Sequence, residues 1–341
     1  MPFLRNAWYA AALSSELAEG PVARTILNEP LLILAGEDGN PVAFADMCPH
    51  RFAPLSLGRV GDGTITCPYH GLVFDHGGIC IHNPHGKGAR PASLALRRYP
   101  MRQQGCIIWV WMGDPARAEA APPPDYPFLA SDDHVVLSGR LQVQANYELV
   151  TDNLLDLSHA EFLHPFIMPE GTASAIKYRA VQDGDRVSVY HSMPNQPNTP
   201  MFALVLGDGV QRVNGVANSH WQAPANLMLE TGVDVLDEGD GRSVMLPQVH
   251  LLTPESERAT HYFWAVARHR SYAVPQLDAM LQAGLANAFE YEDEPMIKAV
   301  QERMGERELF AMQPALLPMD EGSVRARRTL ARLIAEDQAV G

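Results

Sequence analysis

Two short loops, Cys48-Pro49-His50 and Cys67-Pro68-Tyr69-His70, stand sixteen residues apart, and each carries one thiol and one imidazole beside a proline. Thiolates and imidazoles are soft and borderline donors that suit iron and zinc, and a metal reached from both loops fixes the course of the chain on either side. Zinc fingers favour a cysteine pair followed by a histidine pair. Mixed pairs suit a [2Fe-2S] centre, with Cys48 and Cys67 on one iron and His50 and His70 on the other. Pro49 and Pro68 restrict the ligand loops, while Gly58, Gly61 and Gly63 supply turns between them. A structural zinc site with the same four ligands is the competing reading. His76, His82 and His85 lie nearby and read as surface residues or as neighbours of the ligands.

A second constellation lies about a hundred residues downstream. The segment Asp152-Asn-Leu-Leu-Asp-Leu-Ser-His-Ala-Glu-Phe-Leu-His164 gathers carboxylates, an amide and two imidazoles among apolar residues. Burying such a cluster is costly unless a cation or a proton relay uses it. Helical spacing puts Asp152, Asp156 and His159 on one face. His164, five residues beyond His159, points roughly 140° away on an ideal helix. Pro165 disfavours helical geometry at His164, so the helix is expected to end there and to return His164 to the same centre. Two neutral imidazoles and one carboxylate make the facial triad of a non-haem Fe(II) site. Asp156 is one candidate for that carboxylate. The others lie on the acidic segment Glu290-Tyr-Glu-Asp-Glu294, where Leu285, Phe289, Met296 and Val300 form an apolar stripe flanked by Glu292 and Asp293. Spacing does not choose between those two.

The rest of the chain reads as α+β in two parts. Over 1–120, short apolar runs at 25–27, 31–34, 42–44 and 106–111 between Gly, Pro and Asp turns predict a small β domain. The proline run 121–127 reads as a stiff linker. Over 128–341, helical periodicity around 147–164 and 276–304 and strand-like segments at 187–190, 243–246 and 261–266 predict a sheet with helices packed on it. A formal charge of −14 argues against nucleic-acid or anionic-membrane partners. The run Lys87, Arg90, Arg97, Arg98 and Arg102 reads as a solvated basic edge or as a docking patch for an acidic electron donor. The apolar stretch 7–13 is too short for a membrane span and is followed by Glu16 and Glu19, which predicts a cytoplasmic protein. Cys80 and Cys106 are then expected as free thiols. No Gly-x-Gly-x-x-Gly loop follows a strand, so NADH would act only through a separate electron-delivering protein.

Taken together these residues resemble the oxygenase components of Rieske non-haem iron oxygenases. Phe3-Leu-Arg-Asn-Ala-Trp-Tyr9, Pro49-His-Arg-Phe-Ala-Pro-Leu55, Asn83-Pro-His-Gly86, Asp152-Asn-Leu-Leu-Asp156, Leu252-Thr-Pro-Glu255 and Glu292-Asp293 are similar to the vanillate and dicamba O-demethylase branch. The resemblance implies an N-terminal Rieske β domain and a C-terminal helix-grip domain with a large antiparallel sheet. It implies Asp293 as the third iron ligand with His159 and His164, and Asn153 close to the iron without being a firm ligand. Asp156 would bridge His159 to His70 of a neighbouring subunit in a homotrimer, which places carboxylate between two metal-bound imidazoles. The implied reaction takes O2 and two electrons from a ferredoxin or reductase, hydroxylates the methyl group of a methoxylated aromatic acid, and releases formaldehyde and a phenol. Asn226 and His250 match the positions that would hold the acid's carboxylate. Gly284 stands where dicamba-type enzymes carry a tryptophan, which implies a larger or differently shaped pocket. N-dealkylation and ring or methyl hydroxylation use the same metals and are the alternatives within the family. A Rieske electron carrier without catalysis is the alternative outside it.

Overall fold

The computed structural model describes residues 3–61, 63–164, 167–168, 170–236 and 241–340 of the chain. Two compact units emerge, Arg5–Asp125 and Tyr126–Gly341 with Met1–Leu4. Their division falls inside the proline run. Pro165 lies outside the described residues.

The described residues of the first unit form three antiparallel sheets, one six-residue helix, Ser14–Glu19, and three short 3-10 turns. A three-stranded sheet pairs Ala7–Leu13 and Met101–Gln104 with the central strand Ile107–Met112. A second sheet runs Val22–Ile26, Glu29–Ala35, Pro41–Ala45 and Arg98–Tyr99, so three of the four apolar runs read from the sequence fall in its strands and the fourth, 106–111, in the central strand of the first sheet. The third, built from Arg59–Gly61, Thr64–Thr66, Val73–Asp75 and Cys80–His82, carries the second ligand loop as the connection between its two middle strands. Leu32, Phe44, Leu55, Ile65 and Phe74 pack with Cys48, Cys67 and Cys80 in one buried cluster. None of the four cysteines forms a disulfide. The basic run is partly engaged at home: Arg97 pairs with Glu29 at 3.2 Å and lies 4.8 Å over the Tyr99 ring, and Arg102 pairs with Glu119 at 2.9 Å.

The second unit is a seven-stranded antiparallel sheet in the spatial order His134–Val143, Ala259–His269, Ser243–Ser256, Asn226–Val235, Arg212–Gln222, Arg186–Pro197, Lys177–Asp183. Its alternating residues give one face to the helices. Leu227, Leu246, Leu252, Trp264 and Val266 from the sheet and Val150, Leu154, Leu281 and Phe289 from the helices share one core. Full burial of each such side chain contributes about 1.5–3 kcal/mol. The C-terminal helix Glu321–Val340 comes so close to the sheet that a Cβ at Gly322 would lie 2.3 Å from Val189 Cγ2, and only glycine fits there. No described helix is long and apolar enough to cross a membrane.

Two helices depart from the sequence reading, both at the site. The expected continuous helix over 147–164 is three pieces: Tyr147–Leu155, a 3-10 turn Leu157–His159 and a single turn Ala160–Leu163. The break is Asp156, which is extended (φ −120°, ψ 92°) and accepts a hydrogen bond from the Ser158 N–H at 3.0 Å, capping the turn that follows. Asp152, Asp156 and His159 therefore do not share a helical face. Downstream, Asn287–Asp293 is a π-helical segment between the helices Pro275–Ala286 and Glu294–Met304. Its wider turns rotate everything after it. The expected stripe accordingly fails beyond Phe289: Met296 and Val300 are exposed, and Ile297, Gln301 and Met304 are buried in their place.

The first of these helices is clamped from a distance. Arg327 on the C-terminal helix is buried and forks onto Asp152, with Nε–Oδ1 2.9 Å and Nη2–Oδ2 2.6 Å, while its Nη1 reaches Glu148 Oε2 at 2.8 Å. Burial outweighs the pull of Arg327 and pushes both carboxyl groups up, while burial lowers the Arg327 guanidinium less than the two carboxylates raise it. Removing one member of such a buried group strands the others. Arg327→Leu is expected to destabilise the protein by about 3–5 kcal/mol in urea unfolding. A loss below about 1 kcal/mol would show that water solvates the stranded carboxylates and that the clamp is a surface pair.

Candidate metal centres and substrate pocket

The two ligand loops of the first unit are the same turn written twice. In each, the residue four beyond the cysteine donates its N–H back to the cysteine carbonyl, Phe52 to Cys48 at 2.8 Å and Gly71 to Cys67 at 3.1 Å. Both of those residues are left-handed, at φ 59° and 69°. The cysteine N–H then donates to the next carbonyl, Ala53 and Leu72, at 2.9 and 2.8 Å. A bulky, exposed Phe52 in this conformation is unusual and marks a backbone held by its surroundings.

The turns point the two thiols inward and the imidazoles outward. Cys48 and Cys67 are buried and face each other, and burial pushes the Cys48 thiol up to about 11. Such a thiol ionises only against a cation. His50 is exposed, His70 half-buried, and their rings lie 4.6 Å apart. His85 fixes the second loop through Nε2 to the His70 carbonyl at 2.8 Å. Among the described residues these four donors do not converge within 4.8 Å of one another as three others do. That spread suits ligands divided between two irons better than one tetrahedral zinc.

The donors that do converge are His159, His164 and Asp293, all within 4.8 Å. Asp293 Oδ1 lies 3.2 Å from His164 Nε2 and 3.5 Å from His159 Nε2. Each imidazole is held from behind. His159 Nδ1 bonds the Asp156 carbonyl at 2.6 Å, and His164 Nδ1 bonds Glu292 Oε2 at 2.7 Å, with Glu292 steadied by Asn287 Nδ2 at 2.9 Å. Engaging both Nδ1 atoms leaves both Nε2 lone pairs for a cation in the middle. Burial would lower His164, but its hydrogen bonds and the charges of Asp293 and Glu292 outweigh it and hold the imidazole above its usual value. The site attracts positive charge.

The π-helical segment explains how consecutive residues serve one site from two sides. Asp293 enters the cluster while Glu292 supports His164 from behind. Asn153 donates to Asp293 Oδ1 at 3.0 Å and lies 3.4 Å from His159 Nε2, so its amide sits against the cluster. Asp152, one residue earlier, faces Arg327 instead.

Asn226 and His250 are not brought together. Strand pairing sets Leu227 opposite His250 and Asn226 opposite Leu251, and successive residues of a strand point to opposite faces. His250 faces the helices: its Nδ1 bonds the Tyr262 hydroxyl at 2.8 Å, Phe289 packs edge-on at 5.4 Å, and its Nε2 is buried without a partner among the described residues. Asn226 Nδ2 is likewise buried without a partner, on the other face. The reading missed Gln248, whose amide donates to Thr231 Oγ1 at 2.8 Å and lines a cavity of about 130 Å3 on the helix side. Gly284 lines the same cavity, and a Cβ there would meet nothing within 4 Å, which agrees with the extra room expected at that position.

Burial drives the His250 imidazole down to about 3. An unfolded histidine protonates near pH 6.5, so below that value the unfolded chain binds the extra proton. The stability this residue contributes is complete above about pH 6.5 and is lost as the pH falls toward 3, by about 2 kcal/mol at about pH 5. His250→Gln keeps a partner for Tyr262 and does not titrate. Urea unfolding is expected to show wild type losing about 2 kcal/mol more than this variant between neutral pH and about pH 5; equal losses would mean that water reaches the ring.

Residues 7–100 match the Rieske [2Fe-2S] domain model, and residues 143–336 match the vanillate O-demethylase oxygenase C-terminal domain model. The oxygenase component of dicamba O-demethylase from Stenotrophomonas maltophilia is 36% identical over 335 residues, covering 98% of each chain. The oxygenase component of chloroacetanilide N-alkylformylase from Rhizorhabdus wittichii is 37% identical over 333 residues, covering 96% of this chain and 94% of that one. The crystal structure of dicamba monooxygenase bound to 3,6-dichlorosalicylic acid superposes with a TM-score of 0.93 at 35% identity, over 99% of this chain and all of that one. Likeness on this scale makes the chain an oxidoreductase that belongs to the Rieske non-haem iron oxygenases, in the branch of the vanillate and dicamba O-demethylase oxygenase components.

Proposed function

We propose that this protein is the terminal oxygenase of a multicomponent monooxygenase that removes the methyl group of a methoxylated aromatic compound. The observation that carries this is the His159, His164 and Asp293 cluster, with both Nδ1 atoms engaged and both Nε2 atoms turned inward, beside an apolar cavity. These three residues would hold Fe(II), and Cys48, Cys67, His50 and His70 would hold the [2Fe-2S] cluster. Iron bound there supplies activation of O2 for insertion into a C–H bond, with electrons relayed by the cluster.

The chain's own residues do the rest. Asp156 and Glu292 fix the ligand rings through backbone and side chain, Asn153 holds Asp293, and His250 presents an unpaired nitrogen from the sheet. The overall change balances as one methyl ether, O2, two electrons and two protons giving a phenol, formaldehyde and water. The electrons come from a separate reductase or ferredoxin fed by NADH. The protein works as a cytoplasmic homotrimer, in which Asp156 of one subunit joins His159 to His70 of the next.

The test is turnover of the iron-loaded protein with a reductase and a panel of methoxyarenes. Formaldehyde and phenol in equal amounts support the reading, and a ring-hydroxylated product with the methoxy group intact overturns it. N-methyl arenes belong in the same panel because a relative of similar identity is an N-alkylformylase component; release from nitrogen alone would make the enzyme an N-dealkylase.

A further inference from the structure

We propose that the substrate of this oxygenase is uncharged throughout, and that the Gln248 carboxamide holds its polar group; the inference rests on the oxygenase reading above. The cavity is on the scale of a single aromatic ring. One end adjoins the metal ligands: the Met168 N–H donates to the His164 carbonyl at 3.0 Å, and Met168, Met193 and Ala217 pack with Ala160, the chain neighbour of His159. The walls are soft, with Met168, Met193, Met201 and Met280 among them.

No residue lining the cavity carries a charge; its polar groups are the amides of Gln196 and Gln248 and the hydroxyls of Thr199 and Thr231. The residues outside the described set include no basic side chain either. The two buried imidazoles on the same sheet face are not among the lining residues; each commits its Nδ1, His191 to the Ala217 carbonyl at 3.1 Å and His250 to Tyr262, and keeps an Nε2 without a partner among the described residues. Gln248 is itself buried, and its bond to Thr231 orients the amide so that its carbonyl oxygen and second N–H remain for a ligand.

A carboxylate entering this cavity would lose its hydration and meet no cation, an uncompensated loss. A carboxamide, ester or ketone loses less on entry, and an amide can exchange two hydrogen bonds with Gln248. Methionine thioethers adapt to the shape of a ring without asking for charge. The aromatic acids implied by the sequence resemblance are thus the stringent comparison.

Calorimetric titration of the iron-loaded full-length protein with para-methoxybenzamide and para-methoxybenzoate at neutral pH tests the inference. The amide is expected to bind at least about tenfold more tightly than the acid. Gln248→Leu is expected to weaken the amide about tenfold and leave the acid unchanged, and Gln248→Arg to reverse the order. Benzoate binding as tightly as the amide, or no binding of either, overturns the inference, and the wild-type pair decides this even if the variants do not fold. Formaldehyde measured in the same samples separates the two readings. Tight benzoate binding with formaldehyde release would keep the demethylase and sink the neutral substrate. Tight amide binding with a hydroxylated ring and no formaldehyde would do the reverse.

Discussion

Asp293→Ala is expected to purify with its [2Fe-2S] cluster and without the second iron. Iron per chain should fall from about three to about two while acid-labile sulfide stays at about two. Asp293 is buried, and its Oδ1 faces both ligand imidazoles and the Asn153 amide, so no other carboxylate among the described residues completes a three-donor group there. Losing the metal removes several kcal/mol of activation, and formaldehyde output should drop on the order of a thousandfold or more. Glu292→Ala is the informative contrast. Glu292 touches His164 only through Nδ1, so its loss should loosen the ring and lower iron affinity about ten- to a hundredfold while leaving a loadable site. Should Glu292→Ala empty the site and Asp293→Ala stay loaded, the roles of the two neighbours would be exchanged.

That pair of residues also shows where sequence reasoning stops. The cluster loops were legible because their chemistry is local: two copies of a five-residue turn, each pairing a cysteine with a histidine two or three residues on and closing on a left-handed residue four beyond the cysteine. His159 and His164 were legible for the same reason. The choice between Glu292 and Asp293 was not, because an α-helical projection assumes 3.6 residues per turn and the chain uses a π-helical segment at that point. Met296 and Val300 were placed on the buried face by the same assumption. The break at Asp156 was hidden because an aspartate reads equally as a helix residue or as a cap, and only the Ser158 N–H decides. Arg327 was out of reach altogether: it meets Asp152 across 175 positions, and nothing local marks it among other helical arginines. Asn226 was placed beside His250 by likeness of position alone, whereas strand parity puts it on the opposite face.

Replacing Asp156 by Asn separates charge from shape at the one position that touches neither metal directly. The capping bond needs only an oxygen at Oδ1, which asparagine supplies as well as aspartate. His159 is held by the Asp156 backbone carbonyl, so its ring orientation does not depend on the side chain. Fold, iron content and cluster spectrum are therefore expected to match wild type. What disappears is the carboxylate charge of the residue whose carbonyl holds His159, and with it, in the proposed trimer, the group that faces His70 of the next subunit and accepts a proton as the cluster changes charge. Turnover is expected to fall about 10²–10⁴-fold, and on rapid mixing of the reduced protein with O2 and substrate the cluster should stay reduced through the first turnover. Iron loss from this variant would make Asp156 a ligand and displace Asp293 from that role. Wild-type turnover would leave Asp156 as a helix cap and nothing more, and electron transfer between subunits would have to run through other residues.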